Sequence, residues 1–146
     1  MRANRRVVIV PCSGIGKTFG TVSREAAYTV VEDLRPGTAE LVALSLLVLG
    51  DEEARAAVAG HPTITIDGCR LACATKMVQE SGFPVARSFT VLDAFRKHRD
   101  LKPEGISSLN PEGQKLAQVL AEEVAEAVDE LINCYTSIGG SHADSA

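Results

Sequence analysis

A chain of 146 residues, 45% hydrophobic and 23% charged, can bury one core without disulfide or metal staples. Its net charge of −4 and pI near 5.4 argue against a binder of phosphate backbones, and 4% aromatics without tryptophan leave few rings for stacking bases. The longest apolar stretch, Leu41 to Gly50, is well short of the ~20 residues of a membrane span. Neither nucleic acid nor membrane is expected as a partner.

The first predicted element is a buried strand over Arg6 to Val10, β-branched and ended by Pro11. Its apolar run is too short for a secretory signal, whose apolar core needs roughly 7–15 residues, so a cytoplasmic location is expected. In that compartment the four cysteines point to metal ligands, reactive thiols or core residues rather than disulfides. A glycine-rich turn, Ser13 to Gly20, leads to a helix marked by Val22, Ala26, Ala27, Val30, Val31 and Leu34 and stopped by Pro36-Gly37. Leu41 to Leu49 is apolar throughout, as in a strand covered on both faces, although its first part is also compatible with a helix. Asp51 to Ala59 has acids early and Gly60 at its end, which predicts a helix.

Thr63 to Ile66 reads as a third strand, Leu71 to Glu80 as a helix, and Phe89 to Leu92 as a fourth strand. Asn110-Pro111-Glu112 opens a long helix whose apolar face runs from Leu116 to Ile132. Residues 1–135 form one domain by this reading, and the small polar residues 136–146 a flexible tail. Strands alternating with helices predict a three-layer, flavodoxin- or Rossmann-like α/β fold, with about four parallel strands and helices on both faces. In the flavodoxin-like order the first and third strands are neighbours, and ligands bind in the crevice at their carboxyl ends.

That topology brings the cysteines together. Cys12 follows the first strand, Cys69 follows the third, and Cys73 is four residues further on, where helical spacing puts both thiols on one face. Tetrahedral zinc with Zn–S of ~2.3 Å needs sulfurs slightly under ~4 Å apart, within reach of such side chains. Cys12, Cys69 and Cys73 are therefore the expected metal ligands. Zinc is the expected ion, while an Fe–S cluster or another thiophilic metal suits the same donors. Against this stands the bland alternative that cysteines are often buried as small apolar residues.

The pairing of Pro11-Cys12-Ser13-Gly14 with Ile66-Asp67-Gly68-Cys69-x-x-x-Cys73-Ala74 resembles the DGC-domain family, named for its Asp-Gly-Cys element. The resemblance covers the chain from about Val7 to Gly82. It implies that Cys12, Cys69 and Cys73 are chelating cysteines. The family is credited with four of these, and here the fourth ligand is open between Cys134, His98, water and substrate. Cys134 is expected at the far end of the long helix, His61 at the amino end of the third strand, and Met77 in the core.

Rival readings use the same residues. Gly14-Ile15-Gly16-Lys17-Thr18 is similar to a nucleotide-binding loop, but Pro11 stands where its first glycine belongs, and Asp51 is the acid that would attend magnesium. The helix start with Lys17 remains a place for a small anion or other small molecule. Alternatively, Cys12 is a reactive thiol of redox or sulfur-transfer chemistry with Cys69 as partner. The C-x5-R loop of low-molecular-weight tyrosine phosphatases fails at Thr18. No general base declares itself, since Asp67 before a helix reads as a cap. Association into a homodimer stays open.

Overall fold

The computed structural model describes residues 5–12 and 16–145, with side chains as far as Cys134. Four strands, β1 (Val7–Pro11), β2 (Ala39–Leu41), β3 (Thr63–Asp67) and β4 (Arg87–Thr90), form one all-parallel sheet in the order β2-β1-β3-β4. β1 and β3 are buried along their whole length, as central strands of a covered sheet must be. In the register, Val10 lies against Thr65 and Pro11 against Ile66. This is the predicted three-layer α/β arrangement, with the first and third strands side by side.

Side-chain alternation along β1 divides the core in two. Val7 and Ile9 join Ile64 and Ile66 in a cluster under α1 (Thr18–Tyr28), α5 (Val91–Lys97) and α6 (Pro111–Ser145). Val8 and Val10 face the opposite layer, α2 (Leu44–Leu49), α3 (Glu52–Gly60) and α4 (Cys73–Glu80). The chain thus leaves β1 toward one face and β3 toward the other, which opens a crevice between their carboxyl ends.

Local signals account for most boundaries. The Asp51 carboxylate accepts the Ala54 N–H at 2.9 Å, so the acid considered for magnesium is the cap of α3. Asn110 Oδ1 accepts from Gly113 N and Glu104 N, both at 2.9 Å, and starts α6 where the sequence predicts it. Leu116, Leu120, Val124 and Val128 on α6 are at most 1% exposed. Each such side chain contributes roughly 1.5–3 kcal/mol by leaving water, which holds α6 on the sheet. The helix continues to Ser145, past position 136 where composition points to a tail. α1 passes into a π-helical segment, Thr29–Leu34, closed by Arg35 N donating to Val30 O at 2.7 Å.

Two boundaries differ from expectation. Leu41 to Leu49 is not one strand: β2 ends at Leu41, and α2 takes Leu44–Leu49. A continuous apolar run carries no periodicity to separate the two states, and here hydrophobicity does not follow burial, since Val48 and Leu49 are exposed. The fourth strand begins earlier than predicted, at Arg87, because an edge strand tolerates polar residues. It ends where Thr90 Oγ1 accepts the Asp93 N–H at 3.1 Å and turns the chain into α5.

At the amino ends of the strands, Arg35 holds Asp129 of α6 through two hydrogen bonds of 2.7 Å, and Arg87 holds Glu130 at 2.6 Å. The hydrogen bond from Arg35 keeps the Asp129 carboxyl below its ordinary pKa, and Asp129 raises that of Arg35 in return. No helix among the described residues is long and apolar enough to cross a membrane.

Candidate functional site

The carboxyl edge of β1 and β3 is fixed by backbone pairing that runs one residue past the strand. Cys12 N donates to Ile66 O at 2.8 Å, which sets Cys12 level with the end of β3. Ser23 of α1 supports it from the other side, its hydroxyl donating to Gly20 O at 2.6 Å and reaching Cys12 O at 3.4 Å. Cys12 is buried as a result, with 9% of its surface exposed.

Asp67 shapes the next turn. It is 1% exposed and both carboxylate oxygens are engaged: Oδ1 accepts from Ala74 N at 2.7 Å, and Oδ2 from Thr75 N at 3.2 Å and Thr75 Oγ1 at 2.7 Å. The Thr75 hydroxyl has one proton and gives it to Asp67, so Thr65 is the donor in the 2.6 Å contact between the two threonine hydroxyls. A negative charge against the first N–H groups of α4 matches the positive end of that helix. Asp67 is thus a helix anchor whose two carboxylate oxygens are both engaged by α4, in agreement with its sequence reading as a cap.

Gly68 follows for a steric reason. A Cβ there would meet the backbone of α1, at 3.1 Å from Phe19 C and 3.2 Å from Gly20 N. The loop after β3 therefore crosses directly over the first turn of α1, so close that a side chain here needs α1 to shift by a few tenths of an ångström. The Asp-Gly-Cys element now has a physical meaning: Asp67 fastens α4, Gly68 lets the chain pass α1, and Cys69 arrives at the crevice.

Cys69 and Cys73 do not share a helix, contrary to the predicted spacing. α4 begins at Cys73, and Cys69 lies in a turn closed by Ala72 N donating to Cys69 O at 3.2 Å. Ala72 takes a left-handed conformation, φ 51°, that redirects the chain into α4. Exposure rises along the series: Cys12 is buried, Cys69 half-buried and Cys73 exposed. Among the described residues, no three or more His, Cys, Asp and Glu side chains are gathered as a ready metal site.

The remaining candidates separate by position. Cys134 is exposed on α6, one turn past Asp129 and Glu130, whose partners Arg35 and Arg87 precede β2 and open β4. It therefore lies at the opposite edge of the sheet from Cys12. His61 precedes β3 at that same edge, and His98 caps the end of α5 through bonds from its N–H to Ala94 O and Phe95 O. Met77 packs into the core under α4. Ser13, Gly14 and Ile15 of the glycine-rich loop lie outside the described residues, and Lys17 is the exposed N-cap of α1. Sequence reasoning overlooked the Thr65–Thr75 pair, because threonines ten positions apart carry no spacing signal until β3 and α4 are docked.

A protein-family model described as DGC domain matches residues 8–130. No curated protein and no solved structure matches the chain.

Proposed function

The chain belongs to the DGC-domain family, and we propose that it binds a metal ion, zinc above all, through the thiolates of Cys12, Cys69 and Cys73. The observation that carries this reading is the hydrogen bond from Cys12 N to Ile66 O, which ties the first thiol to the strand leading into Cys69 and Cys73. Adjacent strands lie ~4.8 Å apart, and two further residues span at most about 7 Å, so Cys12 and Cys69 belong to one small region. The donor chemistry also fits: three cysteine sulfurs are soft donors suited to zinc, while the hard oxygens of Asp67 are committed to α4.

Because the described side chains do not form a ready three-donor site, binding includes closure of the turn from Cys69 to Ala72 toward Cys12. Zinc held by three thiolates would supply Lewis acidity and keep its fourth position for water, an anion or a substrate. Asp67 acts as a positioning residue, since it fixes the turn of α4 that carries Cys73.

A second reading starts from the same strand pairing, which sets Cys12 level with the end of β3 shortly before Cys69. In it the two thiols form a dithiol–disulfide couple, and Cys12 is the reactive member. Alkylation of the full chain separates the two, with cysteine modification mapped by mass spectrometry. Metal binding predicts that zinc slows modification of Cys12, Cys69 and Cys73 together and leaves Cys134 unchanged. Rapid modification of one thiol, indifferent to zinc, would overturn the metal reading in favour of the thiol one.

A further inference from the structure

Directly beside Cys12, α1 carries a cation with an unmet need. Ser23 packs on the Cys12 carbonyl, so the next residue, Arg24, is brought to the same end of β1. Arg24 lines a cleft of about 80 Å³ together with Cys12, Tyr28, Ala43 and Leu44. Its Nη2 donates to Thr21 Oγ1 at 3.3 Å. Its Nη1 is buried and has no hydrogen-bond partner among the described residues, and no described carboxylate pairs with it.

Such a group is unusual on physical grounds. The large majority of buried side-chain polar atoms in native proteins are hydrogen-bonded, and an unsatisfied charged donor costs more than a neutral one. Arg35 and Arg87, at the opposite edge, each hold a carboxylate. The rest of the cleft wall offers no negative charge. Among the described residues nothing completes Arg24, and a ligand that does so must accept hydrogen bonds and is best matched if anionic. A guanidinium presents its N–H groups as a planar fork suited to two oxygens of one anion. About 80 Å³ exceeds the ~10–15 Å³ that one water requires, so there is room for a ligand of a few heavy atoms.

We propose that Arg24 is the anchor of a small-oxyanion site in this cleft, which places the bound anion next to Cys12. The site takes inorganic phosphate, sulfate or the carboxylate of a short acid, and it does not depend on the metal. Phosphate binding without zinc binding, or the reverse, would therefore tell the two proposals apart.

Amide NMR shifts of the full chain, titrated with inorganic phosphate at constant ionic strength, test it. Sulfate and acetate form parallel arms, and chloride is the control for plain charge. The expected result is a saturable shift centred on residues 12, 24 and 28, absent with chloride. Arg24→Gln should weaken phosphate binding by about tenfold or more, because it removes a charge-assisted pair. Arg24→Lys, which keeps the charge and loses the fork, should fall between. Ala43→Leu, which narrows the cleft and leaves Arg24 intact, should weaken binding as well. No saturable shift with any of the three oxyanions, or equal binding by Arg24→Gln and wild type, overturns the proposal.

Discussion

The two edges of the sheet are built on different terms. At the amino edge the arginines are matched: Arg35 to Asp129 and Arg87 to Glu130, both reaching α6 across long stretches of chain. At the carboxyl edge, Cys12 directly follows β1, Cys69 lies in the turn after β3 and Cys73 opens α4, and Arg24 keeps a buried N–H without a partner among the described residues. The buried carboxylate that ends β3, Asp67, is spent inward on α4. Both edges are made by the same four strands, so the contrast does not come from the fold. An edge whose polar groups satisfy one another serves stability. The carboxyl edge is where we propose that a metal and an anion bind.

Substitutions can break this comparison at graded cost. The largest effect is expected from Asp67→Ala, which leaves two backbone N–H groups and the Thr75 hydroxyl without their acceptor. A loss of about 2–4 kcal/mol in urea unfolding is predicted, with weakened zinc binding although no ligand is removed. A loss no larger than that of a surface alanine would show that Asp67 does not anchor the site.

Gly68→Ala comes next. The added methyl meets backbone atoms of α1 at 3.1–3.2 Å, and neither chain can yield without moving. About 1–3 kcal/mol should be lost, and zinc protection of Cys69 from alkylation should fall with it. Unchanged stability would mean that the loop does not cross α1 as closely as described.

The smallest effect belongs to the amino edge. The Arg35 and Asp129 side chains are 31% and 50% exposed, so Arg35→Ala should cost only about 0.5–1 kcal/mol, with no change in metal or anion binding. The sign with pH follows from the lowered Asp129 pKa. The contribution is complete above the ordinary carboxylate value and disappears as the pH falls through the lowered one. Urea midpoints of wild type and Arg35→Ala should therefore converge in acid. A gap that persists or widens there would contradict the ion pair.

Much of this architecture is legible in the amino-acid sequence. β1 and β3 announce themselves as short β-branched runs, and alternation with helices is enough to put their carboxyl ends together. Asp67 as a cap and Asn110 as the start of α6 follow from residue chemistry at helix ends. What stayed hidden depended on tertiary contact. The helix of Leu44–Leu49 could not be told from a strand, since Leu46, Val48 and Leu49 are apolar yet largely solvent-facing. Cys69 and Cys73 suggested one helix face until Ala72, in its left-handed conformation, delayed the start of α4. Arg24 gave no signal at all: an arginine in a helix is ordinary until the docking of α1 buries its Nη1.

The central claim is that the thiols at the carboxyl edge, and not the one at the amino edge, hold the metal. Native mass spectrometry of the full chain after zinc loading tests it most directly. One zinc per chain is predicted for wild type and Cys134→Ser, with loss of that zinc in Cys12→Ser and in Cys69→Ser. Zinc retained by the Cys12→Ser and Cys69→Ser chains, or lost only with Cys134, would contradict it.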